Sequence, residues 1–143
     1  MSDELSGRTV VPGVGRGRAL VFDEPLSFWG GIDPATGTIV DRRHPQAGRV
    51  VAGRVLVMPS GRGSSSSSSV LAEAVRAGTA PAAIVLLVPD PVLALGAIVA
   101  GELYGRTLPV VVLEAAAYAS IRAEERLAVQ AGAERARISR PGR

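Results

Sequence analysis

The sequence predicts an α/β fold with three layers, and three observations carry that expectation. Hydrophobic residues make up 47% of the 143, enough for one core, yet aromatics are only 3%, so Val, Leu, Ile and Ala must fill the interior. After Pro59, short apolar runs alternate with segments of helical periodicity, the pattern of parallel β-α-β units. At both ends of the chain, short segments punctuated by Gly and Pro read as β-structure.

Residues 8–11 and 18–22 read as strands, separated by Pro12 and by Gly13, Gly15 and Gly17. The Gly13-x-Gly15-x-Gly17 spacing lacks the G-x-G-x-x-G pattern and a following helix, so it is expected as a turn leading into a strand rather than a dinucleotide fingerprint. Residues 27–37 set Phe28 and the only tryptophan, Trp29, among Gly and Pro, which predicts a loop of fixed shape. Residues 38–40 form a hairpin-like strand, and 50–58 a second strand through Gly53. A helix follows the serine run to about Arg76, with Gly78 as its left-handed stop. Residues 82–88 are a central strand. The next helix begins after Pro91 and runs to Gly105, and 109–113 is another buried strand. Residues 115–121 suit a helix, while Leu127, Val129, Ala136 and Ile138 alternate around Gly132 as a closing hairpin does. The whole of 1–143 is expected to form one domain, with the Gly61 loop at the carboxyl end of a strand, where α/β sheets bind ligands.

Composition excludes several functions. The net charge is +3 and the pI about 10.5, but all 16 basic residues are arginine, which fits GC-rich coding better than a selected phosphate-binding surface. The one local basic cluster, Arg135, Arg137, Arg140 and Arg143, has no stacking aromatics beside it, so no nucleic-acid partner is expected. Without lysine there is no Walker A motif. Without cysteine there is no disulfide, no thiol nucleophile and no iron–sulfur cluster held by this chain alone, and no metal ligands are expected. No apolar run reaches about 18 residues, so no membrane span is expected. Met1-Ser2-Asp3-Glu4 has neither a basic nor a hydrophobic region, which predicts a cytoplasmic protein.

Chemistry is expected at the six serines Ser64 to Ser69, which follow Gly61-Arg62-Gly63 and run into Val70-Leu71. Helix starts offer unpaired N–H donors and about half a positive charge, which hold carboxylates or phosphates and lower the cost of a serine alkoxide. A serine-rich linker is the alternative reading. A hydrolase elbow of G-x-S-x-G type is absent. His44, the only histidine, is either an acid–base group or a loop residue that fixes the turn before Pro45.

The stretches 26–34, Thr36-Gly37, His44-Pro45, 58–65, 80–83 and 95–100 resemble, in order, the small subunit or swivel domain of the aconitase X family, over about residues 8–131. The resemblance implies a swivelling β/β/α domain; the basic residues from about 135 to 143 read, from their charge alone, as a solvated tail or a strand edge. It implies closure over a separate, cysteine-bearing large subunit that carries an iron–sulfur centre. The family's activities are dehydrations, of cis-3-hydroxy-L-proline in many bacteria and of phosphomevalonate in archaea. Some members fuse both parts; this chain is expected to be a free-standing small subunit of a heterodimer, inactive alone.

Carried over by motif, the serine directly after Gly-Arg-Gly is the family's catalytic base, here Ser64. Arg62, Gly63 and Ser65 are then expected to bind substrate, and Trp29, Asp33 and His44 to border the cleft or an interface. Fused members often continue Cys-Thr-Gly-Ser where this chain has Ser65-Ser66-Ser67-Ser68, which leaves Ser67 or Ser68 as a helix cap. Dehydrating a 3-hydroxy acid requires taking a proton beside a carboxylate and expelling hydroxide. The resemblance assigns the first to Ser64 and the second to Lewis-acidic iron in the partner. Arg62 either supports the alkoxide or pairs with the substrate carboxylate. The opposing class is a non-catalytic binding or scaffold module on the same fold.

Overall fold

Four residues, Val55–Met58, divide the molecule into its layers. Every side chain of this strand is buried, and alternate residues enter different cores. Val55 and Val57 pack with Ala83, Val85, Val111, Leu127, Val129 and Ile138, whereas Leu56 and Met58 pack with Ile84, Leu86, Leu71 and Leu93. A sheet with apolar contents on both faces needs cover on both, and here helices supply one side and antiparallel strands the other.

The computed structural model describes residues 4–141. In chain order these form β1 (Glu4–Val11), β2 (Gly13–Val21), β3 (Ile32–Asp33), β4 (Thr38–Ile39), β5 (Val55–Met58), α1 (Ser67–Ala77), β6 (Ala83–Leu86), α2 (Pro91–Tyr104), β7 (Val110–Val112), α3 (Ala115–Ala119), β8 (Arg126–Ala131) and β9 (Arg135–Ser139). Seven strands close into a barrel in the order β1-β7-β6-β5-β2-β8-β9, with β9 returning to β1. β2, β5, β6 and β7 run parallel; β8, β9 and β1 join them antiparallel. With α1 and α2 packed on the outer face of the parallel half, the fold is the expected three-layer β/β/α arrangement. No helix among the described residues is long and apolar enough to cross a membrane.

Both long helices end where glycine makes ending cheap. Gly78 and Gly105 adopt φ of 80° and 66°, a conformation that costs a residue with a Cβ. The ladders of β6, β7, β8 and β9 fall within the expected segments.

Four expectations need correction. Residues 50–58 are not one strand: Gly53 takes φ 70° in a turn closed by Arg54 N–H donating to Val51 O, so the ladder begins at Val55. Gly13, Gly15 and Gly17 lie inside β2 rather than ahead of it. A Cβ on Gly15 would strike the Ala82 carbonyl and one on Gly17 the Gly53 carbonyl, so close backbone approach demands the glycines. The basic stretch from 135 is not a tail, because 135–139 is the strand that closes the barrel. Arg140 is 3% exposed and bonds to both oxygens of Glu125, at 2.7 and 3.1 Å, and to Ser120 O at 2.8 Å. Arg143 lies outside the described residues. Lastly, neither Ser67 nor Ser68 caps α1, for reasons that belong to the site.

Candidate functional site

The parallel strands bring three connections to one edge: residues 22–31 after β2, 59–66 after β5 and 87–90 after β6. Leu26 pairs with Gly61, and the Leu87 and Val88 N–H groups both donate to Pro59 O at 3.0 Å, which ties the three together. Chain order alone dictates this edge, since each connection follows the carboxyl end of a parallel strand.

Ser64 starts the turn that becomes α1. Its carbonyl accepts the Ser67 N–H at 3.0 Å, and its Oγ accepts the Ser66 N–H at 3.1 Å. Ser64 therefore does the work of a cap, three residues ahead of Ser67, the nearer of the two positions expected. That hydrogen bond also favours a charged Oγ, as does the helix start behind it, because the first turn of α1 holds no acidic residue. The N–H groups of Gly63, Ser64 and Ser65 have no partner among the described residues, and neither does the Arg62 guanidinium. Gly63 needs its φ of 99°, and a side chain there would meet Ser27 Oγ. Ser64, Ser65 and Arg62 are all exposed.

Ser67 turns inward instead. It is 3% exposed, and its Oγ accepts the Trp29 N–H at 3.1 Å and lies 3.4 Å from Ser27 Oγ. Ser68 Oγ donates back to Ser65 O at 2.8 Å. The serine run thus holds three jobs: turn closure, loop anchoring and an exposed hydroxyl.

Across from this loop, Asp90 caps α2. Its Oδ1 accepts the Val92 and Leu93 N–H groups at 2.9 and 3.2 Å, and its carboxylate lies where a side chain on Gly61 would sit. Asp90-Pro91 carries the helix-start signature of a capping acid before proline, so the helix begins at Pro91 itself, one residue ahead of the expected start. Gly61, Arg62, Gly63, Ser67, Asp90, Val92 and Leu93 enclose a cavity of about 130 Å³. Ser64 and Ser65 stand beside it rather than in its lining. A larger open groove, about 940 Å³, is lined by Arg8, Glu114, Arg135 and Arg137 among others, and contains none of the expected site residues.

The remaining candidates separate. Trp29 is 58% exposed, anchored through its backbone to Ser67, whereas its neighbour Phe28 is buried in the core. His44 is 4% exposed. Its Nδ1 accepts the Gln46 N–H at 3.0 Å and its ring stands edge-on to Phe22, so the geometry is that of a turn-fixing residue and not of a group facing a cleft. Asp33 is not brought to the Ser64 loop. Its carboxylate accepts the Ala35 N–H, and Pro34 O accepts Thr79 Oγ1 just beyond the far end of α1, about 16 Å of helix away from the serine loop.

The residues present do not fit an iron–sulfur cluster. Cysteine is absent from the sequence, and among the described residues no three of His, Asp and Glu gather to hold an ion.

A family model described as the aconitase X swivel domain matches residues 4–138. The cis-3-hydroxy-L-proline dehydratase of Pseudomonas aeruginosa is 54% identical over 106 residues, 74% of this chain but only 18% of that protein. The phosphomevalonate dehydratase small subunit of Methanothermobacter thermautotrophicus is 48% identical over 98 residues, covering 68% of this chain and 75% of that one. The crystal structure of Thermococcus kodakaraensis aconitase X superposes with a TM-score of 0.83 at 31% identity, over 96% of this chain and 98% of that chain.

Proposed function

The chain belongs to the aconitase X swivel-domain family, and on that premise we propose that it is the small, swivelling subunit of a two-chain hydro-lyase that dehydrates cis-3-hydroxy-L-proline in the cytoplasm, with Ser64 as the base. The observation that carries this reading is the half-built site. An exposed serine, held by an N–H donor at a helix start beside an unpaired arginine, borders a cavity of about 130 Å³. Small-molecule sites run to roughly 300–1,000 Å³, so the remaining wall comes from another chain.

In that reading Ser64 Oγ takes the proton next to the substrate carboxylate. The Ser66 N–H and the start of α1 stabilise the alkoxide form. Arg62, in its planar fork, together with the N–H groups of Gly63 and Ser65, pairs with the substrate carboxylate. A separate cysteine-bearing large subunit closes over the loop, excludes water and supplies the iron–sulfur centre. The substrate assignment follows the 54% identity to the Pseudomonas dehydratase. One observation favours a second reading, the phosphomevalonate dehydratase small subunit: that relative is a separate chain of which this one covers 75%.

The test is co-expression with an aconitase X-type large subunit, followed by turnover assays on cis-3-hydroxy-L-proline and phosphomevalonate. The expected result is dehydration of the first, by the complex alone. Turnover by this chain without a partner refutes the two-chain reading. A verified complex that dehydrates neither acid leaves the binding-module reading in its place.

A further inference from the structure

α2 is apolar on every side. Glu102 is the only charged residue among its 14, although one long face of the helix lies at the surface. α1, in the same layer, is built as a surface helix should be: its outer face carries Ser69, Glu73 and Arg76, the last two in an ion pair at 2.7 Å. In α2, Leu93, Ala94, Ala97 and Ala100 are buried, while Leu95 and Ile98 stand 53% and 48% exposed. Positions 95, 98 and 102 follow three- and four-residue steps and form one seam. Towards the helix start the same surface continues through exposed Val88 and half-buried Val92, which lines the cavity beside the Ser64 loop.

We propose that the Leu95–Ile98 face of α2 is a docking surface for an apolar patch on the large subunit, so that the surface covering α2 is continuous with the one that completes the Ser64 cavity. The inference rests on the two-chain reading above. Two observations bear on the occupant: the first shows that the contact extends past α2, and the second favours the large subunit over a second copy of the chain. A 14-residue helix is about 21 Å long and 10 Å wide, so one face offers on the order of 200 Å², a quarter of the roughly 800 Å² that each side of a stable interface buries. A partner must therefore reach beyond α2, and Val92 joins this face to the adjoining cavity, whose lining adds Arg62 and Asp90 as polar contacts. In the Pseudomonas relative, moreover, the matched segment is a small part of a much longer chain, so the same domain there has a large body of polypeptide beside it.

The experiment compares the full chain with a Leu95→Glu/Ile98→Glu double variant, titrated against the purified large subunit by calorimetry. Light scattering gives the mass of each small chain alone. Both side chains are half in water, so the variant is expected to melt like the wild type. It should bind the large subunit at least a hundred-fold more weakly, while Glu73→Ala/Arg76→Ala on α1 binds normally. Unchanged affinity of the double variant overturns the docking surface and leaves the two-chain reading standing. Failure of the wild type itself to bind overturns that reading, and the inference with it. A dimer of the chain alone that the double variant dissociates makes a second copy the occupant, and also overturns it.

Discussion

Replacing Ser67 by alanine separates the structural serine from Ser64, the proposed base. Ser67 Oγ is the acceptor for the part-buried Trp29 N–H, so its removal leaves that donor without a partner. An orphaned buried donor costs about 1–3 kcal/mol, and alanine's better helix propensity returns about 0.5, leaving a net loss near 1.5 kcal/mol. For a chain of 143 residues, roughly 3–4 °C per kcal/mol converts this to a fall in Tm of about 5 °C. Ser64→Ala removes an exposed cap bond worth about 1 kcal/mol, a fall of about 3 °C. In the assembled complex the ranking should invert: Ser64→Ala loses at least about a thousand-fold in kcat, and Ser67→Ala only a few-fold. The assays are thermal unfolding by circular dichroism, kcat at saturating substrate, and fluorescence of the single tryptophan, which reports release of the loop that Ser67 holds. A Ser67→Ala chain with unchanged Tm and unchanged emission refutes the anchoring argument. Near-wild-type kcat for Ser64→Ala in a verified complex refutes its role as base.

Trp29→Ala should weaken pull-down by the large subunit while leaving Tm within about 2 °C, because the side chain stands mostly in solvent; a large fall in Tm with normal pull-down reverses that assignment. Gly61→Ala puts a methyl group against the Asp90 carboxylate and Leu93, so it should disturb the α2 cap and lower both Tm and turnover, and a variant with wild-type values of both contradicts the packing. Arg140→Leu takes the guanidinium away from the nearly buried Glu125 carboxylate, which keeps the Arg122 N–H, and should cost about 3 kcal/mol in urea unfolding, with part of it regained on adding Glu125→Leu. Burial, and secondarily the charge of Asp23, pushes the Tyr118 hydroxyl up to about 12. Tyrosine in the unfolded chain titrates near 10, so the neutral form is the one the fold prefers: stability holds below about pH 10 and declines as pH rises from there through 12. Tyr118→Phe should flatten that part of the alkaline decline in urea midpoints, and an unchanged profile argues against the assignment.

Local signals in the sequence carried much of the fold. Gly78 and Gly105 mark helix ends because their conformation is a property of the residue itself, and the apolar run at 82–88 reads as the buried strand whose ladder spans 83–86. What escaped depends on contacts between distant segments. Gly15 and Gly17 resemble a turn until Ala82 and Gly53 are known to press against them. Arg140 looks like a tail charge until Glu125 and Ser120 close around it. Within the candidate site, the motif singles out the Ser64 loop and Arg62, but a run of six identical residues holds no internal cue to which hydroxyl faces water and which faces Trp29. Asp90 had a legible signal, a capping acid before proline, yet its place against Gly61 is a fact of strand order.

The pairing that closes the barrel also sets how the domain can be wired. Glu4 lies opposite Ser139 in the β1–β9 ladder, and the Glu4 carboxylate reaches Arg137 at 3.7 Å, so the outermost strands of the chain are neighbours in space. A tether attached beside Glu4 or beside Ser139 departs from one spot on the barrel. Fusion to a larger polypeptide through the front or through the back would therefore hold the Ser64 loop within nearly the same reach of a common target. A circular permutant with 141 linked to 4 by a short turn, which retains Arg140, and opened at the exposed Gly132–Glu134 bend would keep every parallel strand contiguous with the helix that follows it.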